Sequence, residues 1–293
     1  MTANAYAEAS GGAWDFCCHT LPCVLPRWGT ATRVALDASE LGFAGIVLQS
    51  HHQSTASRAQ TAHARSPSVE VLASVTLNGY TGGISPVTVR EARDAGVRVI
   101  WLPTVQSALH VRRIGAGRSL DNTFDASAPA IGLSLLRRGK LSQEIREVLE
   151  EMSRVPMLLN TGHISLRELD ALLPAARERG ITLMINHPYF LLRPSARWWR
   201  ELPSEGVYVE FAAVTKQGGL FPTLGKILEL IEEVGPNRCV IGSESKNMVH
   251  PLKQCLRFCN WLERAGVPTE AVAEMLIRTP RRVTRELTLR EVV

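Results

Sequence analysis

The chain has 293 residues, 45% of them hydrophobic and 21% charged, with a formal net charge of +5. A chain of this length buries roughly three quarters of its unfolded surface, and the composition is that of a globular protein rather than a disordered or fibrous one. The positive charges are scattered (Arg90, Arg93, Arg137, Arg138, Arg177, Arg179) apart from a cluster at Arg281, Arg282 and Arg285. No basic stripe interleaved with aromatics marks a nucleic-acid partner.

Met1–Gly12 is small and polar, without the charged start and apolar stretch of a signal peptide. No apolar run approaches the roughly 20 residues that span a bilayer, so no membrane partner is expected. Six cysteines in a chain this large do not make a dense disulfide framework, and a reducing cytoplasm is the expected compartment.

In chain order, strand-like runs fall at Ala13–His19, Ala44–Ser50, Val69–Asn78, Arg98–Thr104, Val155–Asn160, Thr182–His187, Val207–Ala213 and Cys239–Ser243. Most are near-continuous apolar segments, as in Gly45-Ile46-Val47-Leu48. That pattern suits strands buried on both faces of a parallel sheet. Helical periodicity lies between them, at Thr32–Leu41, Val87–Ala95, Ser142–Met152, Leu166–Arg179 and Leu252–Ala265. Four of these stop at a glycine (Gly42, Gly96, Gly180, Gly266), which tolerates the left-handed cap. Thr269–Leu289 reads as an extra amphipathic helix and tail packed under the barrel that these units would form.

Strand–helix units repeated eight times predict a single (β/α)8 TIM barrel domain over residues 1–293. A doubly wound open sheet is the runner-up, weakened by the lack of a Gly-x-Gly-x-x-Gly turn after the first strand. The connection from Thr104 to Ser142 is far longer than the rest and carries Asp121 and Asp125. Following a strand, the loop 105–141 reads as a lid or specificity loop on the active-site face, against a mobile insert or a contact between copies.

In a parallel barrel the C-terminal ends of all strands meet on one face. Asp15, Cys17, His19, His51, Asn78, His163, His187, Glu210 and Glu244 all stand at or near such ends. Cys17 and His19 are two apart on a strand and so share a side. Imidazole and thiolate suit Zn²⁺. Bland readings stand beside these: cysteines in a buried strand are often small hydrophobes, and His187 before Pro188 could be a turn residue. Glu210 could pair an arginine, and Glu244 could be a buried ion-pair partner. Asn78-Gly79-Tyr80-Thr81-Gly82-Gly83 offers amides to an anion but reads slightly better as a tight turn. Lys246 and the pair Trp198-Trp199 read as surface and packing residues, and His63 and His110 as solvated histidines.

With these residues in place the chain resembles the amidohydrolase superfamily of metal-dependent barrels. The family pattern is His-x-His after strand one, a His after strand five, a His after strand six and an Asp after strand eight. It is met here by Cys17-Cys18-His19, Thr161-Gly162-His163, Asn186-His187-Pro188 and Gly242-Ser243-Glu244-Ser245. The sequence departs from the pattern at Cys17 and Glu244. It also lacks the bridging lysine after strand four, which ends Leu102-Pro103-Thr104, so one metal is expected rather than two.

The resemblance implies a zinc-dependent hydrolase acting on an amide, lactone or related C–N or C–O bond of a small molecule. Cys17, His19, His163, His187 and Glu244 would be the metal set. Glu244, His187 and His163 would carry catalysis. His51, Asn78 and Glu210 would stand near the substrate, and Asp15 would support the ligands from behind. A decarboxylase or lyase on the same scaffold, or a catalytically silent barrel that binds a small ligand or a partner, are the alternatives. Association of the chain with copies of itself stays open.

Overall fold

The computed structural model describes residues 12–23, 25–118, 132–189, 192, 194–214, 223–245 and 248–288. In chain order the strands are β1 (Ala13–His19), β2 (Phe43–Gln49), β3 (Glu70–Leu72), β4 (Ser74–Thr76), β5 (Val99–Trp101), β6 (Leu136–Arg137), β7 (Lys140–Leu141), β8 (Leu158–Asn160), β9 (Thr182–Asn186), β10 (Val207–Ala212) and β11 (Cys239–Gly242). β1, β2 and β3 pair in parallel, and a second parallel sheet runs β11-β10-β9-β8-β5-β4. β3 and β4 are halves of one strand interrupted at Ala73.

Two seams join the sheets. At one, the amide of Glu244 donates to the Cys17 carbonyl at 2.9 Å, and the amide of Ser243 donates to Asp15 Oδ1 at 2.7 Å. At the other, Thr76 Oγ1 donates to the Ser50 carbonyl at 2.7 Å, and Ser74 Oγ donates to the Leu48 carbonyl. The architecture is the (β/α)8 barrel that the alternation of runs predicts.

Helices cover the outside because one stripe of each is apolar; Val34, Ala35 and Ala38 are buried in Ala31–Glu40, and Ile145, Val148, Leu149 and Met152 in Gln143–Ser153. Several start at a Ser or Thr whose hydroxyl accepts an amide of the first turn: Thr30, Ser85, Ser107, Ser142, Ser165, Ser195 and Thr223. Each such cap stabilises by about 1 kcal/mol, and together they fix where the strand-to-helix turns end.

The barrel interior is layered. Trp14, Phe16, Val47, Val99, Trp101, Leu158, Met184, Tyr208 and Val240 form an apolar plug, joined by Val283 and Leu287 of the last helix. That helix, Thr279–Thr288, follows Thr269–Ala273 and a π-helical turn at Glu274–Arg278. It closes the bottom, as its amphipathic pattern predicts. None of the helices among the described residues is long and apolar enough to cross a membrane.

The long connection after β5, where the sequence suggests a lid or specificity loop, carries secondary structure of its own. It contains a helix, Ala108–Arg113, and the antiparallel hairpin β6–β7. Ser134 Oγ and the Leu135 amide anchor it to Glu168 Oε1 at 2.7 and 2.8 Å. Asp121 and Asp125 lie outside the described residues.

Candidate active site

Above the plug the interior turns polar, and β1 supplies the first donors. A register shift between Asp15 and Cys18 marks a bulge. Phe16 and Cys17 consequently both face inward, whereas Ala13 and Cys18 belong to the outer core. Asp15 mends the ladder that the bulge breaks: its Oδ1 accepts the Cys17 amide at 3.1 Å as well as that of Ser243. Complete burial raises its pKa to about 6 against those stabilising bonds. Asp15 thus holds the backbone on either side of the mouth, at Cys17 on β1 and at Ser243 after β11.

Cys17 Sγ donates to Glu244 Oε2 at 2.9 Å, and His19 Nε2 meets the same oxygen at 3.0 Å. The three ligand atoms lie within 4.8 Å of one another. Burial, then the carboxylates of Glu244 and Glu210, push the Cys17 thiol well above its ordinary pKa. Glu244 reaches this position from a left-handed backbone, φ +44°. For a residue other than glycine that costs on the order of 1–3 kcal/mol, a strain that concentrates at functional sites.

On the opposite side of the mouth runs a line of imidazoles. His110 Nε2 meets the Arg118 carbonyl at 2.9 Å, and His110 Nδ1 meets His163 Nδ1 at 2.9 Å. His163 Nε2 lies 3.2 Å from His187 Nε2, and His187 Nδ1 lies 3.1 Å from Glu210 Oε2. His187, like Glu244, has a positive φ, +26°. The line begins and ends on an acceptor, a carbonyl and a carboxylate. Four contacts in series need four protons, and three neutral imidazoles hold three. The count closes with one extra proton, or with a cation taken by the facing Nε2 atoms of His163 and His187.

Glu210 joins the two sides. Its Oε2 accepts from His187 and, at 3.3 Å, from Asn186 Nδ2, while its buried Oε1 has no hydrogen-bond partner. That oxygen lies beside Cys17 across Gly242. A Cβ built on Gly242 would stand 2.5 Å from Glu210 Oε1 and 2.6 Å from Cys17 Cβ. Only glycine lets the two approach. No arginine pairs with Glu210 among the described residues.

His51 is buried beside His19, their rings 4.9 Å apart. Its Nδ1 contacts Thr104 Oγ1 at 2.9 Å. Burial holds its pKa well below the ordinary value, and His19 lowers it further. Asn78 departs from the reading as a substrate contact. Its amide nitrogen donates to the His51 carbonyl and to Thr104 Oγ1, at 3.0 and 2.9 Å, and its Oδ1 accepts the Thr104 amide at 3.0 Å. Those bonds tie three strand ends together. The glycines that follow form a tight turn, with the amides of Gly82 and Gly83 given to the carbonyls of Gly79 and Asn78.

One histidine was misread. His110 is 1% exposed and bonded to His163, not solvated. Its signal was the Ser107 cap: a residue in the first turn of a helix after a strand points at the mouth. Lys246 lies outside the described residues, and Trp199 packs as expected, in the core against Trp198 and Tyr189.

A thiol, imidazoles and carboxylates converging in a buried mouth, with an orphaned oxygen and an imidazole line one proton short, fit a divalent cation. Cys17, His19 and Glu244 form one donor group, and His163 and His187 face each other in a second.

Solved structures that share this fold include amidohydrolases. An amidohydrolase from Pseudomonas aeruginosa superposes with a TM-score of 0.61 at 12% identity, covering 98% of this chain and 99% of that one. A putative 2-pyrone-4,6-dicarboxylic acid hydrolase from Pseudomonas putida gives 0.53 at 14%, covering 94% and 98%. An uncharacterised TIM-barrel protein from Bordetella bronchiseptica gives 0.56 at 11%, covering 94% and 99%. The resemblance drawn from the motifs thus holds for the fold. In sequence, residues 12–210 match the family of unknown function DUF6282, and the chain belongs to that family. No curated protein matches it.

Proposed function

We propose that the protein is a metal-dependent hydrolase of the amidohydrolase type, acting on an amide, lactone or related bond of a small molecule. The observation that carries this reading is the convergence of Cys17 Sγ, His19 Nε2 and Glu244 Oε2 within 4.8 Å of one another, at the mouth shared with His163 and His187. Zinc is the preferred ion, because a soft thiolate beside imidazole and carboxylate disfavours magnesium and manganese. Bound there, it supplies Lewis acidity toward a carbonyl oxygen and lowers the pKa of water toward about 7.

The chain's own groups do the rest. Glu244, whose carboxylate contacts both Cys17 and His19, holds the proton taken from water and passes it to the leaving group. Glu210 fixes the tautomer and ring of His187 through Nδ1, and His110 does the same for His163. The apolar plug closes the mouth from below and keeps bulk water out. All six cysteines are unpaired, which suits a reducing cytoplasm.

Metal analysis of untagged protein expressed with zinc is the decisive experiment. About one zinc per chain, lost in Cys17→Ala and His19→Ala, is the expected result. Trace metal in the wild type would sink the reading. With zinc present, incorporation of labelled water into the product separates hydrolysis from loss of CO2 by a lyase.

A further inference from the structure

The loop after β1 holds a buried cation against which no opposite charge stands among the described residues. Its ends are tied, with the Leu21 amide donating to the Gly29 carbonyl at 2.8 Å. From outside, Arg58 Nη1 donates to the carbonyls of Thr20 and Pro22 at 3.3 and 3.2 Å. Arg27 turns inward from this closed loop and is 2% exposed, among the largest fully buried side chains.

The contacts of its guanidinium are few for a buried charge. Nε lies 3.3 Å from Cys23 Sγ, and Nη1 donates to the Ser245 carbonyl at 2.6 Å. Nη2 has no hydrogen-bond partner among the described residues. Among the described residues no carboxylate forms an ion pair with it. Arginines at loop positions ordinarily keep their heads in water, and charges that are buried are paired or ligate an ion. A guanidinium whose Nη2 keeps its N–H donors unused is complementary to a carboxylate oxygen.

Its location ties this donor to the chemistry. Ser245 directly follows Glu244, and Arg27 lies on the loop that directly follows the Cys17–His19 strand, so the Nη1 contact joins the two loops. Arg27 therefore stands at the mouth, between the loops that carry the Cys17–His19 and Glu244 donors.

We infer that Arg27 is the anchor for a carboxylate on the substrate, so that the small molecule acted upon is an organic acid rather than a neutral amide or lactone. This rests on the hydrolase reading for what happens next to the anchor, but the anchoring itself does not need the metal.

The test uses matched probes that differ only in charge: acetate against acetamide, and benzoate against benzamide, titrated calorimetrically into the full chain. Wild type is expected to prefer the anion in at least the smaller pair. Arg27→Gln should weaken that anion by about tenfold or more while leaving the amide unchanged, the loss expected for a charge-assisted hydrogen bond. Arg27→Lys keeps the charge without the guanidinium and should bind the anion several-fold more weakly than wild type. It carries the test alone if Arg27→Gln fails to fold.

No anion preference in either pair, or variants that bind the anion as wild type does, would overturn the inference. Titrations are run on zinc-loaded and on chelator-treated protein. A wild type that takes up no zinc defeats the hydrolase reading, while an anion preference that still vanishes in Arg27→Gln leaves the anchor standing.

Discussion

The floor and the mouth of the barrel are built on the same strands, a few residues apart, and obey opposite rules. Along β10, Tyr208 faces the apolar plug and Glu210, two residues on, faces the imidazoles. Along β1, Phe16 belongs to the floor and Cys17 and His19 to the mouth. In the floor every inward side chain gains by excluding water. In the mouth the inward groups are charged or polar, buried, and held by one another, with strain at His187 and Glu244 and one orphaned oxygen on Glu210. The floor contributes stability, and the mouth draws on it.

Substitutions should separate the two layers. His19→Ala removes a donor and is expected to drop bound zinc to trace levels with little change in the cooperativity of unfolding. Metal analysis beside a denaturant melt checks both halves, and retention of zinc would show that the donors are not a set. Trp101→Ala, in the floor, should destabilise the fold by about 3–5 kcal/mol while the purified protein keeps its zinc. An equal loss of metal would mean that the layers are one unit.

Smaller effects probe the join between them. Glu210→Gln leaves volume unchanged but weakens the hold on His187, and zinc affinity should fall by about 10–100-fold, read by chelator competition. Gly242→Ala places a methyl against Glu210 Oε1 and Cys17 Cβ. It should cost about 1–3 kcal/mol of stability and weaken zinc as well; a neutral outcome in both would show that the approach of the two residues is dispensable.

The last effect is protonic. Burial and neighbouring carboxylates hold the Cys17 thiol protonated at neutral pH, and a zinc ligand must be the thiolate. Binding should then release a proton, so zinc affinity rises with pH. Calorimetry in buffers of different ionisation enthalpy measures the release, and none would argue against Cys17 as a ligand.

Most of the fold was legible because a strand buried on both faces must be apolar throughout, and β1 was read to the residue. The β3–β4 break at Ala73 was not, since the run Val69–Asn78 stays apolar across it. The donors at strand ends were legible as types and positions. Their grouping into a Cys17–His19–Glu244 cluster and a His163–His187 line was not, and neither were His110 and Arg27, which look like ordinary polar residues of loops. Asn78 shows the converse: a polar side chain at a strand end that the scaffold uses itself.

The order of residues along the chain, by itself, determined a barrel with chemically able side chains around one rim, because alternation and run length are local properties. Only the tertiary structure decided which of them face one another. That choice depends on the bulge in β1, the missing Cβ at Gly242 and the inward turn of the loop bearing Arg27, where contacts between residues more than 200 positions apart set the geometry.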